Sequence, residues 1–274
     1  MTWLQVHRGE APVLICFPHT GTDIPPDIAS HMHAPWRARK DTDWWIDRLY
    51  DFAPGLGVTT IRTAISRSVI DVNRDPSGAS LYPGQATTGL CPTETFDGEP
   101  LYLSGIEPND DDIQRRLTTW FAPYHDAIAA EIERLRTRHG GAVLYDAHSI
   151  RSRIPRLFEG ELPQFNIGTN SGQSCASRLI QQVETACRQS AYSTVVDGRF
   201  KGGWTTRHYG RPSDGIHAIQ MELAIRGYLN EPSEIREGMW PPSYAEDRAA
   251  PLRAVLTDII QSVLTFAKSE SLSA

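Results

Sequence analysis

Two histidines and two carboxylates stand at positions of the chain where a metal-dependent reaction could take place. His19 follows the apolar run VLICF, His148 follows the apolar run AVLY, and Asp71 and Glu222 lie within apolar runs themselves. A carboxylate buried on its own costs considerable free energy, so these two must be paired, hydrogen-bonded or functional. A single histidine after a strand is more often structural, but imidazoles and carboxylates in one place supply both the ligands and the base of a catalytic zinc.

Cationic side chains accompany these groups and indicate an anionic ligand. Arg67 and Arg74 flank the apolar run that contains Asp71, and Asn73 directly precedes Arg74. An amide and a guanidinium together suit a carboxylate, which arginine can bind through two parallel hydrogen bonds. The segment 198–203, GRFKGG, adds cations and glycines that allow close approach of a ligand, although a plain turn explains it almost as well. The sequence therefore predicts a small-molecule substrate that carries carboxylates.

A central sheet with helices on both faces would bring these residues together. Strands are predicted for the short apolar or β-branched segments 13–17, 58–61, 68–72, 142–145, 165–167, 194–196 and 218–223. Helices are predicted for the segments of helical period at 44–52, 113–138, 174–189 and 244–267. Their alternation favours one α/β domain over residues 1–274. Ligands of such sheets bind outside the carboxyl ends of the strands, where both histidines stand.

The long stretch 75–100 has the composition of a loop, DPSGASLYPGQATTGLCPTETFDGEP. A structureless stretch of that length is uncommon inside a compact domain unless it works as a lid or a binding loop. We interpret it as a cover over the active site, and a surface excursion without a role is the alternative.

The composition excludes two classes of partner. A net charge of -6 argues against binding to nucleic acid, which needs a clustered positive surface. No apolar run approaches the roughly 18 to 20 residues that span a bilayer, and the start MTWLQVHRGEAP lacks the features of a signal peptide. We therefore expect a cytoplasmic protein that binds neither nucleic acid nor membrane, and the sequence makes no prediction of oligomeric state.

Seven motifs in order resemble one known family over nearly the whole chain. They are PHTG at 18–21, DTDW at 41–44, SRSVIDVNR at 66–74, ATTGL at 86–90, LYDAHSIRSRIPRLFEGELPQFNIGTN at 144–170, GRFKGGWTTRHYGRP at 198–212 and HAIQMEL at 217–223. Together they resemble the N-formylglutamate deformylases, also called N-formylglutamate amidohydrolases, of histidine degradation. That family is similar in layout to the zinc carboxypeptidases and aspartoacylases, which implies a mixed α/β sheet of the eight-stranded type and one zinc ion per chain.

The resemblance implies a ligand set in which the acidic member is open. His19 and His148 are similar to the two metal histidines of the related families, whose first histidine begins an H-x-x-E motif. Thr22 stands at the acidic position of that motif here. Asp43 is the preferred third ligand, and Asp23 and Asp41 are the alternatives.

The resemblance also implies the roles of the remaining residues. Glu222 occupies the place of the general base, Arg67 would stabilise the oxyanion together with the metal, and Asn73 with Arg74 would hold one substrate carboxylate. The candidates for the second carboxylate are the polar and cationic residues Lys201, Arg207 and His208. The expected reaction is zinc-dependent hydrolysis of N-formyl-L-glutamate to L-glutamate and formate, the last step of a histidine degradation route.

Two other classes of function share this layout. The first is an acylase of another N-acyl amino acid or a carboxypeptidase, which kinetics on matched substrates would distinguish. The second is a catalytically dead carboxylate-binding or regulatory protein, which could lack zinc altogether.

Overall fold

The computed structural model describes residues 3–271 and contains a mixed β-sheet at its centre. Within these residues the sheet has seven strands in the order β1-β3-β2-β4-β7-β5-β6. In chain order they are β1 Leu4–His7, β2 Val13–Phe17, β3 Thr59–Thr63, β4 Ala142–Ile150, β5 Phe165–Gly168, β6 Thr194–Val196 and β7 Ile216–Ala224. β2, β3, β4 and β7 run parallel, whereas β1 is antiparallel to β3 and β5 is antiparallel to β7. The predicted mixed α/β fold is confirmed.

Helices cover both faces of this sheet. They are α1 Pro26–Ala29, α2 Pro35–Ala38, α3 Ile46–Leu49, α4 Asp110–Arg116, α5 Ala122–His139, α6 Ser177–Arg188, α7 Trp204–Tyr209 and α8 Glu246–Ser271. Because successive side chains of a strand point to opposite faces, Val13 and Ile15 of β2 pack with α6 and α8, whereas Leu14 and Cys16 pack with α5. The alternation explains why β2 is apolar throughout, since both of its faces are buried.

Most predicted strands are present, but the segment 68–72 and the number of strands differ from the prediction. The predicted strand 68–72 is wrong, because Val69 N–H donates to Ser66 O and Arg74 N–H donates to Asp71 O, which are turn contacts. The sheet reaches seven strands in the described residues, not eight, and its edge strand β1 has too few apolar residues for the sequence to reveal it. The single domain over 1–274 stays a prediction, and residues 1–2 and 272–274 lie outside the described part of the chain.

The predicted helix 113–138 is interrupted by a π-helical segment, Leu117–Phe121. Pro123 lies at the start of α5 and has no N–H to donate one turn back, so the backbone widens there. The predicted helix 44–52 is reduced to the single turn α3, and the other two predicted helices are present as α6 and α8.

Helix α8 is long and apolar enough by composition to cross a membrane over Glu246–Ser269. The side chains on its inward face, among them Leu252, Leu256 and Ile259, are fully buried in the core that covers one face of the sheet. A helix packed in the core of a protein can be as long and apolar as one that spans a membrane, so the composition of α8 follows from its packing.

We expect Leu256→Ala to lower the free energy of unfolding by about 2 to 5 kcal/mol, since it removes a fully buried side chain and leaves a cavity between α8 and the sheet. Chemical denaturation of the two proteins measures the difference. Gln261→Ala, at a solvent-exposed position of α8, is the matched control and should change the value by less than about 0.5 kcal/mol.

Candidate metal centre and active site

The carboxyl ends of three neighbouring strands supply the polar residues of the site. His19 lies two residues after β2, and β4 and β7 pair in register so that Asp146 faces Gln220 and His148 faces Glu222. These four residues share one face of the sheet because they are two residues apart on each strand. The same face is apolar further back along β4 and β7 and becomes polar only at this end.

His19, Asp43 and His148 form a buried cluster. One nitrogen of each imidazole and one carboxylate oxygen all lie within 4.8 Å of one another. Asp43 Oδ2 is 3.8 Å from His19 Nδ1 and 3.2 Å from His148 Nδ1, and it accepts the Ser149 N–H at 3.0 Å. Two imidazole nitrogens and a carboxylate oxygen are the donor set of a divalent metal such as zinc.

The two alternative acidic ligands lie elsewhere. Asp23 is exposed to solvent, and Asp41 accepts hydrogen bonds from the Phe96 N–H and from Arg151. Neither belongs to the cluster of possible ligands in the described residues. Asp43, the preferred candidate of the sequence analysis, is therefore the carboxylate that accompanies the two histidines.

A second carboxylate supports each histidine from behind. His19 Nε2 donates to Asp71 Oδ1 at 2.7 Å, and His148 Nε2 lies 3.0 Å from Asp146 Oδ2. When Nε2 carries the proton, Nδ1 has a lone pair that can bind a metal ion, and in both residues Nδ1 is the atom on the Asp43 side. Burial would lower the pKa of His148, but the charge of Asp146 and the hydrogen bonds with Asp146 and Asp43 raise it well above its ordinary value, so a metal ion would take the place of a proton on its Nδ1. Carboxylate–histidine pairs of this kind orient metal ligands and fix their tautomer, so these residues fit a metal ion.

The electrostatics of the cluster keep Asp71 ionised and His19 neutral. Burial alone would raise the pKa of Asp71, but the charges of Arg74 and Arg67 and the hydrogen bond from His19 lower it well below its ordinary value. Burial, with a further contribution from Arg67, lowers the pKa of His19 to about 4. A neutral imidazole is the form that binds a metal ion.

Arg67 lies against the same cluster. Its Nη2 donates to Asp71 Oδ2 at 2.7 Å, and its Nη1 donates to His19 Nδ1 at 3.1 Å and lies 3.8 Å from Asp43 Oδ1. The guanidinium therefore contacts the lone pair that a metal ion would use, and metal binding requires Nη1 to move off this nitrogen. The side chain also lines the pocket.

Glu222 is buried beside the cluster and is not one of its three members. Its carboxylate accepts a hydrogen bond from Gln220 Nε2 at 3.3 Å, while Gln220 Oε1 accepts the Gly203 N–H at 2.7 Å. Burial is the main cause that raises the pKa of Glu222 to about 8; the charge of Asp43 adds to this rise, and that of His148 opposes it. Gln220 thus ties the carboxylate to the 198–203 segment.

Asn73 and Arg74 reach the site from the turn after Asp71. Asn73 Nδ2 donates to Asp146 Oδ2 at 3.0 Å, and Asn73 Oδ1 accepts the Thr205 N–H at 2.8 Å. A Cβ atom on Gly203 would come within 2.4 Å of Asn73 Nδ2, so only glycine fits there. Arg74 donates to Thr88 O, Thr88 Oγ1 and Asn73 O, which uses three of its five N–H groups.

These residues open onto a pocket of about 60 Å³. Its walls include His19, His148 and Glu222 on the sheet side. The loop 75–100 supplies the opposite wall through Tyr82, Ala86, Thr87, Thr88 and Phe96. The stretch that we interpreted as a cover therefore lies over the candidate site.

The three residues predicted for a second carboxylate lie outside the lining of this pocket. Lys201 and His208 are exposed, and His208 stacks on Trp204 with ring centroids 4.1 Å apart. Arg207 donates to Leu81 O and Gly202 O behind the loop. The assignment of these residues to a carboxylate stays a prediction. Besides Arg67 and Arg74, the pocket is lined by Arg199, a cation that the sequence analysis did not single out.

The family follows from comparison with known sequences. Residues 11–229 match the family described as N-formylglutamate amidohydrolase. The chain is 44% identical over 266 residues to the N-formylglutamate deformylase of Pseudomonas aeruginosa, with 97% of each chain covered. It is 43% identical to the N-formylglutamate deformylase of Pseudomonas putida, with 96% of each covered. The chain belongs to the N-formylglutamate amidohydrolase family.

Solved structures show the fold of this family independently. The crystal structure of N-formylglutamate amidohydrolase from Ralstonia eutropha JMP134 superposes with a TM-score of 0.77 at 24% identity, with 99% of each chain covered. A gene product of Agrobacterium tumefaciens superposes with a TM-score of 0.66 at 15% identity, covering 96% of this chain and 94% of that one. The resemblance seen in the sequence motifs is confirmed for family and fold.

In this N-formylglutamate amidohydrolase family member we expect Asp71→Asn and Asp146→Asn each to weaken metal binding about 10- to 100-fold, because each removes the carboxylate that orients a histidine. Competition with a fluorescent chelator measures the dissociation constant. Asp214→Asn, an exposed carboxylate paired with Arg211, is the control and should bind metal as the parent protein does. Parent-like affinity in both test variants would contradict the supporting role.

Proposed function

We propose that this protein hydrolyses N-formyl-L-glutamate to L-glutamate and formate. The observation that carries the proposal is the placement of a possible metal site, a buried carboxylate and guanidinium groups around one pocket, in a chain whose curated relatives are N-formylglutamate deformylases over almost their full length. We further propose that the reaction is the last step of a histidine degradation route and takes place in the cytoplasm.

Zinc is the proposed cofactor, held by His19, Asp43 and His148. All three residues are buried, and the two imidazoles have their second nitrogen directed at a carboxylate. A zinc ion with these ligands would act as a Lewis acid that polarises the formyl carbonyl and makes water more acidic.

Glu222 is the proposed general base. It lines the pocket, is separate from the ligand set, and its carboxylate is positioned by Gln220. In the proposed reaction Glu222 takes a proton from the attacking water and then delivers it to the departing glutamate nitrogen. The carbon–nitrogen bond of the formamide breaks, so that formate and an amine are released.

Two guanidinium groups have donors for the negative charges of the substrate. Arg67 lines the pocket beside the ligand cluster and is proposed to stabilise the oxyanion. Arg74 has two N–H groups left after its three hydrogen bonds, enough to hold one substrate carboxylate bidentately. Asn73 lines the same wall and is proposed to bind that carboxylate with it.

Side-by-side kinetics test the proposal. The purified protein with added zinc is expected to release formate from N-formyl-L-glutamate with a higher kcat/KM than from N-formyl-L-aspartate. Its kcat/KM for N-formyl-L-glutamate should also exceed its kcat/KM for N-acetyl-L-glutamate and for short peptides. A preference for one of these other substrates would replace the proposal with an acylase or carboxypeptidase.

A further inference from the structure

Three guanidinium groups line the pocket, and their electrostatic surroundings differ. Arg67 is 2.7 Å from a carboxylate oxygen of Asp71, and Arg74 is 3.6 Å from the same carboxylate. Arg199 has no carboxylate within 4.0 Å among the described residues. Of the three arginines on the pocket wall, Arg199 is therefore the one without a counter-ion in the part of the chain that the structure describes.

The position of Arg199 is nevertheless tightly determined. Its Nε donates to Leu157 O at 2.7 Å, and its Nη2 donates to Ala86 O at 2.8 Å. The guanidinium carbon lies 5.4 Å from the ring centre of Tyr82 and 5.3 Å from that of Phe200. A side chain held by two carbonyls and two rings keeps its orientation before a ligand arrives, which reduces the entropy cost of binding.

The remaining N–H groups of Arg199 are free to bind a ligand. A guanidinium has five, and the two hydrogen bonds to carbonyls leave both on Nη1 and one on Nη2 without an acceptor in the described residues. Burial is the main cause that lowers the pKa of Arg199. A half-buried cation without a counter-ion is destabilised, and an incoming anion would remove this cost.

We infer that Arg199 binds the side-chain carboxylate of the N-formyl amino acid and makes the enzyme select an acidic side chain over a neutral one of the same size. The inference rests on the proposed function. Arg74 and Arg199 are separate cations on the pocket wall, each with N–H groups to spare, so the pocket offers one cation for each carboxylate of a dicarboxylate. Arg199 is then a residue that sets specificity and takes no part in proton transfer.

Two substrates and two arginine variants test the inference. N-formyl-L-glutamate and N-formyl-L-glutamine are nearly equal in shape and differ in the charge of the side chain. We expect Arg199→Met to lower kcat/KM for the glutamate substrate about 10- to 100-fold, mainly through KM, since a hydrogen-bonded charge pair is lost. The value for the glutamine substrate should change by less than about 3-fold, and Arg199→Lys should recover part of the preference.

Arg207→Met is the matched control. Arg207 also lies over the Tyr82 ring, 5.0 Å from its centre, and also donates to a carbonyl of the 75–100 loop, yet it does not line the pocket. A substitution that only loosens the loop should lower kcat/KM for both substrates by the same factor. We expect this result for Arg207→Met.

The outcomes separate this inference from the proposed function. Arg199→Met could lower kcat/KM for both substrates by the same factor while its circular dichroism and melting temperature match those of the parent. In that case Arg199 only anchors the loop and the inference is wrong. If Arg207→Met shifts the preference and Arg199→Met does not, the second carboxylate belongs to Arg207. Absence of formate release by the parent enzyme would instead overturn the proposed function.

Discussion

Replacing Glu222 by glutamine is expected to lower kcat for formate release by about 100- to 10,000-fold, the contribution typical of a positioned general base. Glutamine has the size of glutamate, so the hydrogen bond with Gln220 and the packing of β7 can persist. Because Glu222 is not a member of the ligand cluster, the variant should still bind one metal ion per chain. The Glu222→Gln variant should therefore be inactive and still hold its metal ion.

A control variant and two measurements test this prediction. Glu133→Gln changes an exposed carboxylate of α5 that pairs with Arg136, and it should leave kcat unchanged. Metal content by elemental analysis and kcat by formate detection are measured on the same preparations. A Glu222→Gln variant with near-normal kcat would remove this residue from proton transfer, and one without metal would place it among the ligands.

Removal of the metal is expected to lower the rate of formate release by more than about 100-fold, since the proposed Lewis acid is lost. Zinc or another divalent ion added back should restore it, because imidazole and carboxylate ligands accept several metals. His148→Ala removes one of the three proposed ligands. Its rate of formate release should not recover at the metal concentration that restores the rate of the parent protein.

A stability measurement accompanies that experiment. A ligand at about 100 times its dissociation constant stabilises the folded state by about 2.7 kcal/mol, so the metal-free protein should melt at a lower temperature. The shift should be absent in His148→Ala at the same metal concentration. A metal-free protein of undiminished activity would contradict the proposed role of the cluster.

The site residues that are easiest to predict from the sequence are those on or next to regular strands. His19 and His148 follow or end apolar strands, and the parallel sheet then requires them to lie at one edge. Asp43 is harder to predict because it precedes a short turn of helix without periodicity. Thr22 stands here at the acidic position of the H-x-x-E motif of the related families. Only the contact of Asp43 with both imidazoles distinguishes it from Asp23 and Asp41.

Residues on irregular segments were harder to place. The run 68–72 has the β-branched composition of a strand, but its backbone turns so that Asp71 can support His19. The segment 198–203 contains two cations, Arg199 and Lys201. Because a loop has no regular repeat, its sequence does not indicate which of the two side chains faces inward. Arg199 faces the pocket and Lys201 faces solvent, and this depends on the long-range contacts with Leu157 and Ala86.

Zinc-dependent deformylation is tested most directly by the rate of formate release from N-formyl-L-glutamate, measured on one purified preparation whose zinc content is known. Turnover should rise in proportion to bound zinc up to one ion per chain. A preparation with one zinc per chain and no formate release, or with full activity and no metal, would contradict zinc-dependent deformylation.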